Sequence, residues 1–295
     1  EIRLSLVGSE MCIRDRAETV LMRAARGGGW RNLVAMRPIT SVPIWPEGRG
    51  LFLARPLLGS RRSALRNYLR DHKLSWIDDP ANDSLNYERV LARHRLAEQE
   101  AAGFDTMRLA AIAERLAPIA ARIDEAAAEL IERAVRIEHG TAMFDAGQWK
   151  PLSVVHERAF WLLLTAVSGG AYGPHPRKAR ILNAMMFSKH AFTAQTLGGA
   201  LVRRHGDEVR ISRDRGAVYG RADGARAIPR LPLEAGVETI WDRRVALKVA
   251  EPGWSVVLGK NAQPELERDG ERSPIAAAAP RWLLQERVRH LLGQD

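Results

Sequence analysis

Two carboxylates, Asp15 and Glu18, stand three positions apart at the start of a run of small and aliphatic residues that ends in Gly27-Gly28-Gly29. If Asp15 lies just before a helix and Glu18 in its first turn, both acids sit near the positive end of the helix dipole and near each other. Such a pair could hold Mg2+ or receive a proton. It could equally do no more than cap the helix N-terminus. The glycine run is just as open, because helices commonly end in glycine, so three glycines alone do not make a phosphate cradle.

Charge adds a second chemistry. The chain has a net charge of +10, and its surplus is concentrated. Arg14 to Arg70 holds twelve Arg and no Lys against Asp15, Glu18 and Glu47, a local excess of nine. A polyanion gains affinity from such a stretch by counterion release, and the planar guanidinium can bond two phosphate oxygens at once. The same excess also suits a plain solvated surface. The single cysteine, Cys12, cannot form an internal disulfide, and the eight histidines are scattered rather than grouped at ligand spacing, which argues against a protein-built zinc site. Nowhere do roughly eighteen apolar residues run together, and no secretory pattern opens the chain, so it reads as soluble, cytoplasmic and without a membrane span.

The elements that must position these residues follow from periodicity. Ala17 to Arg26 reads as a helix stopped by the glycines, Gly50 to Pro56 as a short strand entering a turn, and Arg61 to His72 as an amphipathic helix. A turn-rich loop, Trp76 to Asp83, precedes a helix over about Leu85 to Ala101. Steps of three and four link Ile112, Leu116, Ile119, Ile123, Ala127, Leu130, Ala134 and Ile137, which predicts one long helix kinked near Pro118. Further helices are expected over about Val154 to Ala166 and Pro176 to Phe187. A hairpin is expected around His205-Gly206-Asp207, two strands around an Asp-Arg turn between Val237 and Val249, and a last helix from Trp282. Residues 1–16 read as a non-native leader, set aside from the fold.

Three segments, in order, resemble the tRNA(Ile)-lysidine synthetase family of the PP-loop ATP pyrophosphatase superfamily. The first is the family's Asp-Asp-Gln-Ala-Glu-Thr helix start leading into Arg-Gly-x-Gly, matched by Asp15, Ala17, Glu18, Thr19, Arg26, Gly27, Gly29, Leu33 and Met36. Arg14 and Arg16 replace the first Asp and the Gln, and Asn32 stands where a further glycine is usual. The second is Arg55-Pro56-Leu57-Leu58. The third is Trp76-x-x-Asp79-Pro-Ala-Asn82 followed by Tyr87-x-Arg89 and Arg93, with Ala81 and Val90 in place of the usual serine and asparagine. The similarity runs from about Asp15 to Arg213, where the hairpin fits the family's Gly-Gly-x-x-x-Arg-Arg region, and then fades.

The resemblance implies a ligase that uses ATP and Mg2+ to adenylate the wobble cytidine of tRNA(Ile), then lets the amine of free lysine attack. It implies catalytic roles for Asp15, Glu18 and Arg26, with Asp15 and Glu18 serving Mg2+ or the lysine amine. Thr19, Gly27 and Gly29 would line the nucleotide and substrate pocket. Arg55, Arg61, Arg62, Asp79, Asn82, Arg89 and Arg93 would bind tRNA or fix the loop, although Arg89 and Arg93, one helical turn apart, could simply pair with Asp79 or Asp83. The expected fold is mixed and mainly α: 17–58 the remnant of an α/β nucleotide-binding domain of adenine nucleotide alpha hydrolase-like type, 59–215 a helical tRNA-binding extension ending in a hairpin, and 216–295 a small antiparallel β tail. The family's Ser-Gly-Gly-x-Asp-Ser loop does not occur in the sequence, so the chain reads as an N-terminally truncated, inactive fragment. Alternatives are a noncatalytic RNA-binding module, a helical scaffold, or a sulfur-inserting PP-loop enzyme, whose usual cysteines are missing. Oligomeric state is not legible.

Overall fold

The computed structural model describes residues 13–27, 29–76, 88–188, 192–220, 227–259 and 263–294. The chain forms two compact units, one of residues 1–40 and 52–122, the other of residues 41–51 and 123–295. These units differ from the boundaries at 58 and 215 read from sequence: the break falls inside a helix, and the short segment 41–51 belongs with the C-terminal mass.

In the first unit, α1 (Ile13–Ala25) is followed by a 3-10 turn over Trp30–Val34, a two-stranded pair β1 (Ile39–Ser41) and β2 (Phe52–Ala54), α2 (Arg62–Asp71) and α3 (Glu88–Ala101). Then α4 (Met107–Ala134) begins, giving its first half to this unit and the rest to the other. Helix α1 starts four residues before the expected Ala17. Residues 13–16 are therefore part of the fold, and Asp15 and Arg16 are buried in it. Asp15 lies within the first turn, where a carboxylate suits the dipole. At the other end Gly27 takes φ +67° and its N–H bonds to Ala24 O at 3.0 Å, a left-handed helix stop open to glycine without a Cβ penalty. Ala17 and Val20 of α1 and Val90, Ala92 and Leu96 of α3 are buried, and the two helices pack together.

The long helix corrects the sequence reading in two places. It ends at Ala134, so Ile137 lies on strand β3 (Val135–Glu138) instead. In its first half the buried positions are Ala110, Ala113 and Ala120, while Ile112 and Ile119 are exposed. The alanine stripe, rather than the isoleucine stripe, is the one that is buried.

The second unit is built on an antiparallel five-stranded sheet in the order β3-β4-β7-β6-β5, with β4 over Thr141–Asp145, β5 over Ala194–Leu197, β6 over Ala200–His205 and β7 over Glu208–Arg213. The expected hairpin is its β6–β7 pair, with Val202 opposite Ile211 and both buried. Helices α5 (Val154–Val167) and α6 (Pro176–Met185) cover the sheet. In α5, Phe160 and every residue from Leu162 to Val167 are buried, as expected of a helix apolar on all sides.

After α7 (Arg215–Tyr219) the chain makes a second core, which the sequence suggested only as an uncertain tail. Strands β8 (Leu231–Pro232), β11 (Ser255–Leu258), β12 (Pro264–Arg268) and β13 (Glu271–Pro274) form a four-stranded sheet; β9 (Thr239–Trp241), β10 (Val245–Leu247) and β14 (Arg281–Trp282) form a three-stranded one. Val218, Trp241, Leu247, Val256 and Leu266 fill the space they enclose. The expected Asp-Arg turn joins β9 to β10: Trp241 pairs with Val245, Asp242 and Arg243 are both at positive φ (49° and 54°), and Arg244 donates its N–H back to Trp241 O at 3.0 Å. Trp282 belongs to β14, and the last helix, α8, covers Leu284–Leu292. From the 41–51 segment, Trp45 packs among Ala246 and Leu283 and donates its Nε1–H to Arg243 O at 2.8 Å.

Candidate functional site

The residues with family-like spacing meet on α1 and α3. Arg89 and Arg93 are one turn apart on one face of α3. Arg89 donates from Nη2 to Asp15 Oδ1 at 2.8 Å and from Nε to Glu18 Oε2 at 3.1 Å, and Arg93 donates from Nε to Glu18 Oε1 at 3.1 Å. Glu18 is 1% exposed and Asp15 6%, whereas Arg89 keeps 45% of its side chain in solvent. Two buried carboxylates are thus neutralised by two arginines from a segment more than seventy residues away. Asp79 and Asp83, the nearer acids open to these arginines, and Asn82 lie outside the described residues.

Around this core the cross-helix pairing continues. Arg16, itself buried, pairs with Glu114 of α4, and Arg26 pairs with Glu88 at the start of α3. Arg16 carried no signal in the sequence beyond its charge. Thr19 donates its hydroxyl to Asp15 O at 2.8 Å, a local bond to the preceding turn. Arg23 bonds Asn32 O at 3.0 Å and Ala35 O at 3.3 Å, tying the turn after the glycines back to α1. Burial holds its guanidinium below the ordinary value, helped by Arg26 and Arg55 nearby. Arg55 braces the chain from within, donating to Arg37 O at 3.2 Å and Thr40 Oγ1 at 3.0 Å, and burial lowers its pKa as well.

Both oxygens of Glu18 and one of Asp15 accept guanidinium N–H bonds, and no group of three His, Cys, Asp or Glu among the described residues is placed to hold a metal. Gly27 follows the C-terminal, negative end of α1 with its N–H bonded to Ala24 O, and Gly29 caps a 3-10 turn of five residues. Open space adjoins both glycines.

The outer surface is basic. Helix α2 buries none of its residues and carries Arg62, Arg66 and Arg70, with Arg61 at its N-cap. Arg61 is exposed and Arg62 half-buried. No described helix is long and apolar enough to cross a membrane.

Residues 11–100 match the model of the PP-loop domain, a match that begins inside the stretch read as leader and extends well past residue 58. The chain is 38% identical over 188 residues to the tRNA(Ile)-lysidine synthase of Hyphomonas neptunium, covering 64% of this chain and 50% of that protein. It is 32% identical over 246 residues to that of Ruegeria pomeroyi (83% and 54%) and 30% identical over 266 residues to that of Brucella ovis (86% and 56%). The chain belongs to the tRNA(Ile)-lysidine synthase family. It spans about half the length of the curated relatives it matches. An alignment of 246 residues cannot end at Arg213, so the likeness reaches into the C-terminal sheets as well.

Proposed function

We propose that this chain is the tRNA-facing part of a ligase that converts the wobble cytidine of tRNA(Ile) to lysidine, using ATP to adenylate the base and free lysine as the amine. The observation that carries the reading is the meeting of Asp15 and Glu18 with Arg89 and Arg93, four family-pattern positions from two distant segments. Their proposed role is positional: the acids hold the two arginines, and the half-exposed Arg89 presents its charge to an anionic substrate. Arg26, Thr19, Gly27 and Gly29 border the reacting groups. The basic face of Arg61 and Arg62, with Arg66 and Arg70 beside them, grips the tRNA backbone by counterion release. Lysine's amine, with an ordinary pKa near 10.4, must lose a proton before it attacks.

No phosphate-cradling loop occurs in this sequence, so the polypeptide by itself is proposed to bind tRNA without turning over. The experiment is ATP-dependent incorporation of labelled lysine into tRNA(Ile), run beside a salt titration of tRNA binding. Salt-sensitive binding without incorporation is expected. Incorporation by this polypeptide alone refutes the inactivity, and absence of salt-sensitive binding refutes the tRNA role.

A further inference from the structure

Far from the α1–α3 pair in sequence, three arginines and one aspartate are buried together in the second unit, brought there by the end of β7, the β9–β10 turn and α8. Asp242 accepts from Arg213 twice, Nε at 2.9 Å and Nη2 at 3.0 Å, and from Arg244 Nε at 2.6 Å. Arg287, 1% exposed, donates Nη2 to Gly170 O and lies within electrostatic reach of Arg213, Asp242 and Arg244. Three guanidinium groups thus face one carboxylate, an excess of two positive charges out of water.

Their hydrogen bonds are also incomplete. Among the described residues, Nε and Nη1 of Arg287 and Nη2 of Arg244 are buried without an acceptor, as is the indole N–H of Trp241 one position before Asp242. Burial pushes Arg287 down to about 10, which still leaves it protonated at neutral pH. An uncompensated buried cation with unmet donors is among the costliest arrangements in a protein interior. The backbone closes in on the ion pair itself: a Cβ on Gly169 would come within 2.6 Å of Asp242 Oδ1, and one on Gly199 within 2.5 Å of Arg213 Nη1. The unmet nitrogens are shut off from solvent, so a small anion suits them better than a bulky one.

We propose that the Arg213–Asp242–Arg244–Arg287 cluster binds a monatomic halide-class anion, chloride under ordinary conditions, which supplies the missing acceptor and balances part of the buried charge. The site is independent of the proposed ligase role.

The test is thermal unfolding of the full chain at constant ionic strength, with sodium chloride exchanged stepwise for sodium gluconate. Chloride is expected to raise Tm saturably, by roughly 2–4 °C, whereas gluconate does not. The Arg287→Met variant is expected to lose the chloride response. Should that variant fail to fold, anomalous diffraction from wild-type crystals grown in sodium bromide decides, with a bromide peak against Arg287 or Arg244 as the supporting result. Equal Tm in the two salts, a chloride response unchanged in Arg287→Met, or bromide data without that peak overturns the proposal.

Discussion

Glu18 Oε1 accepts the Nε–H of Arg93 at 3.1 Å, across seventy-five positions of sequence. That bond lies at a helix interface where Glu18 is almost wholly buried, so its removal takes a charged acceptor from both Arg89 and Arg93. Breaking a buried pair from one side costs about 3–5 kcal/mol, and the partial exposure of Arg89 and Arg93 reduces this.

Glu18→Ala is therefore expected to destabilise the first unit by about 2–4 kcal/mol in urea unfolding. Glu18→Ala combined with Arg93→Met should cost less than the sum of the two single losses. Losses that simply add in the double variant would show that the pair is not coupled.

For tRNA binding, Arg61→Ala with Arg62→Ala should weaken affinity and lower the slope of log K against log salt by about 1.4–1.8, the contribution of two phosphate contacts. Filter binding over a salt series reads this directly. An unchanged slope removes both residues from the interface.

His156 sits edge-on to Trp149 at 4.9 Å, and desolvation holds its pKa below the ordinary 6.5, with Lys150 and Arg133 pushing the same way against a hydrogen bond to the Gln148 backbone. Below 6.5 the unfolded chain binds this proton more readily than the folded one. Stability should thus be intact above 6.5 and decline as pH falls from there towards the lowered folded value. Urea midpoints at successive pH values measure the slope, which His156→Phe should flatten.

Gly140 ends the turn between β3 and β4 at φ +71°, and a Cβ there would lie 2.5 Å from the Trp282 ring. Gly140→Ala combines a left-handed backbone penalty with a clash and should cost about 2–4 kcal/mol. A loss under about 0.5 kcal/mol in chemical denaturation would mean the Trp282 ring moves aside freely.

What the sequence by itself determined was local. The glycine stop of α1, α2, the apolar α5, the β6–β7 hairpin and the Asp242-Arg243 turn each depend on neighbours within a few positions, through periodicity or a required backbone angle. Only the tertiary structure decided which of two competing stripes α4 buries, because Ala113 and Ala120 are buried while the more hydrophobic Ile112 and Ile119 are exposed. It also decided that Arg89 and Arg93 neutralise Asp15 and Glu18, that Arg55 braces backbone, and that Arg213, Asp242 and Arg287 converge. Charge has no period that reveals its partner; an arginine's role follows from which carboxylate the folded chain brings within about 3 Å.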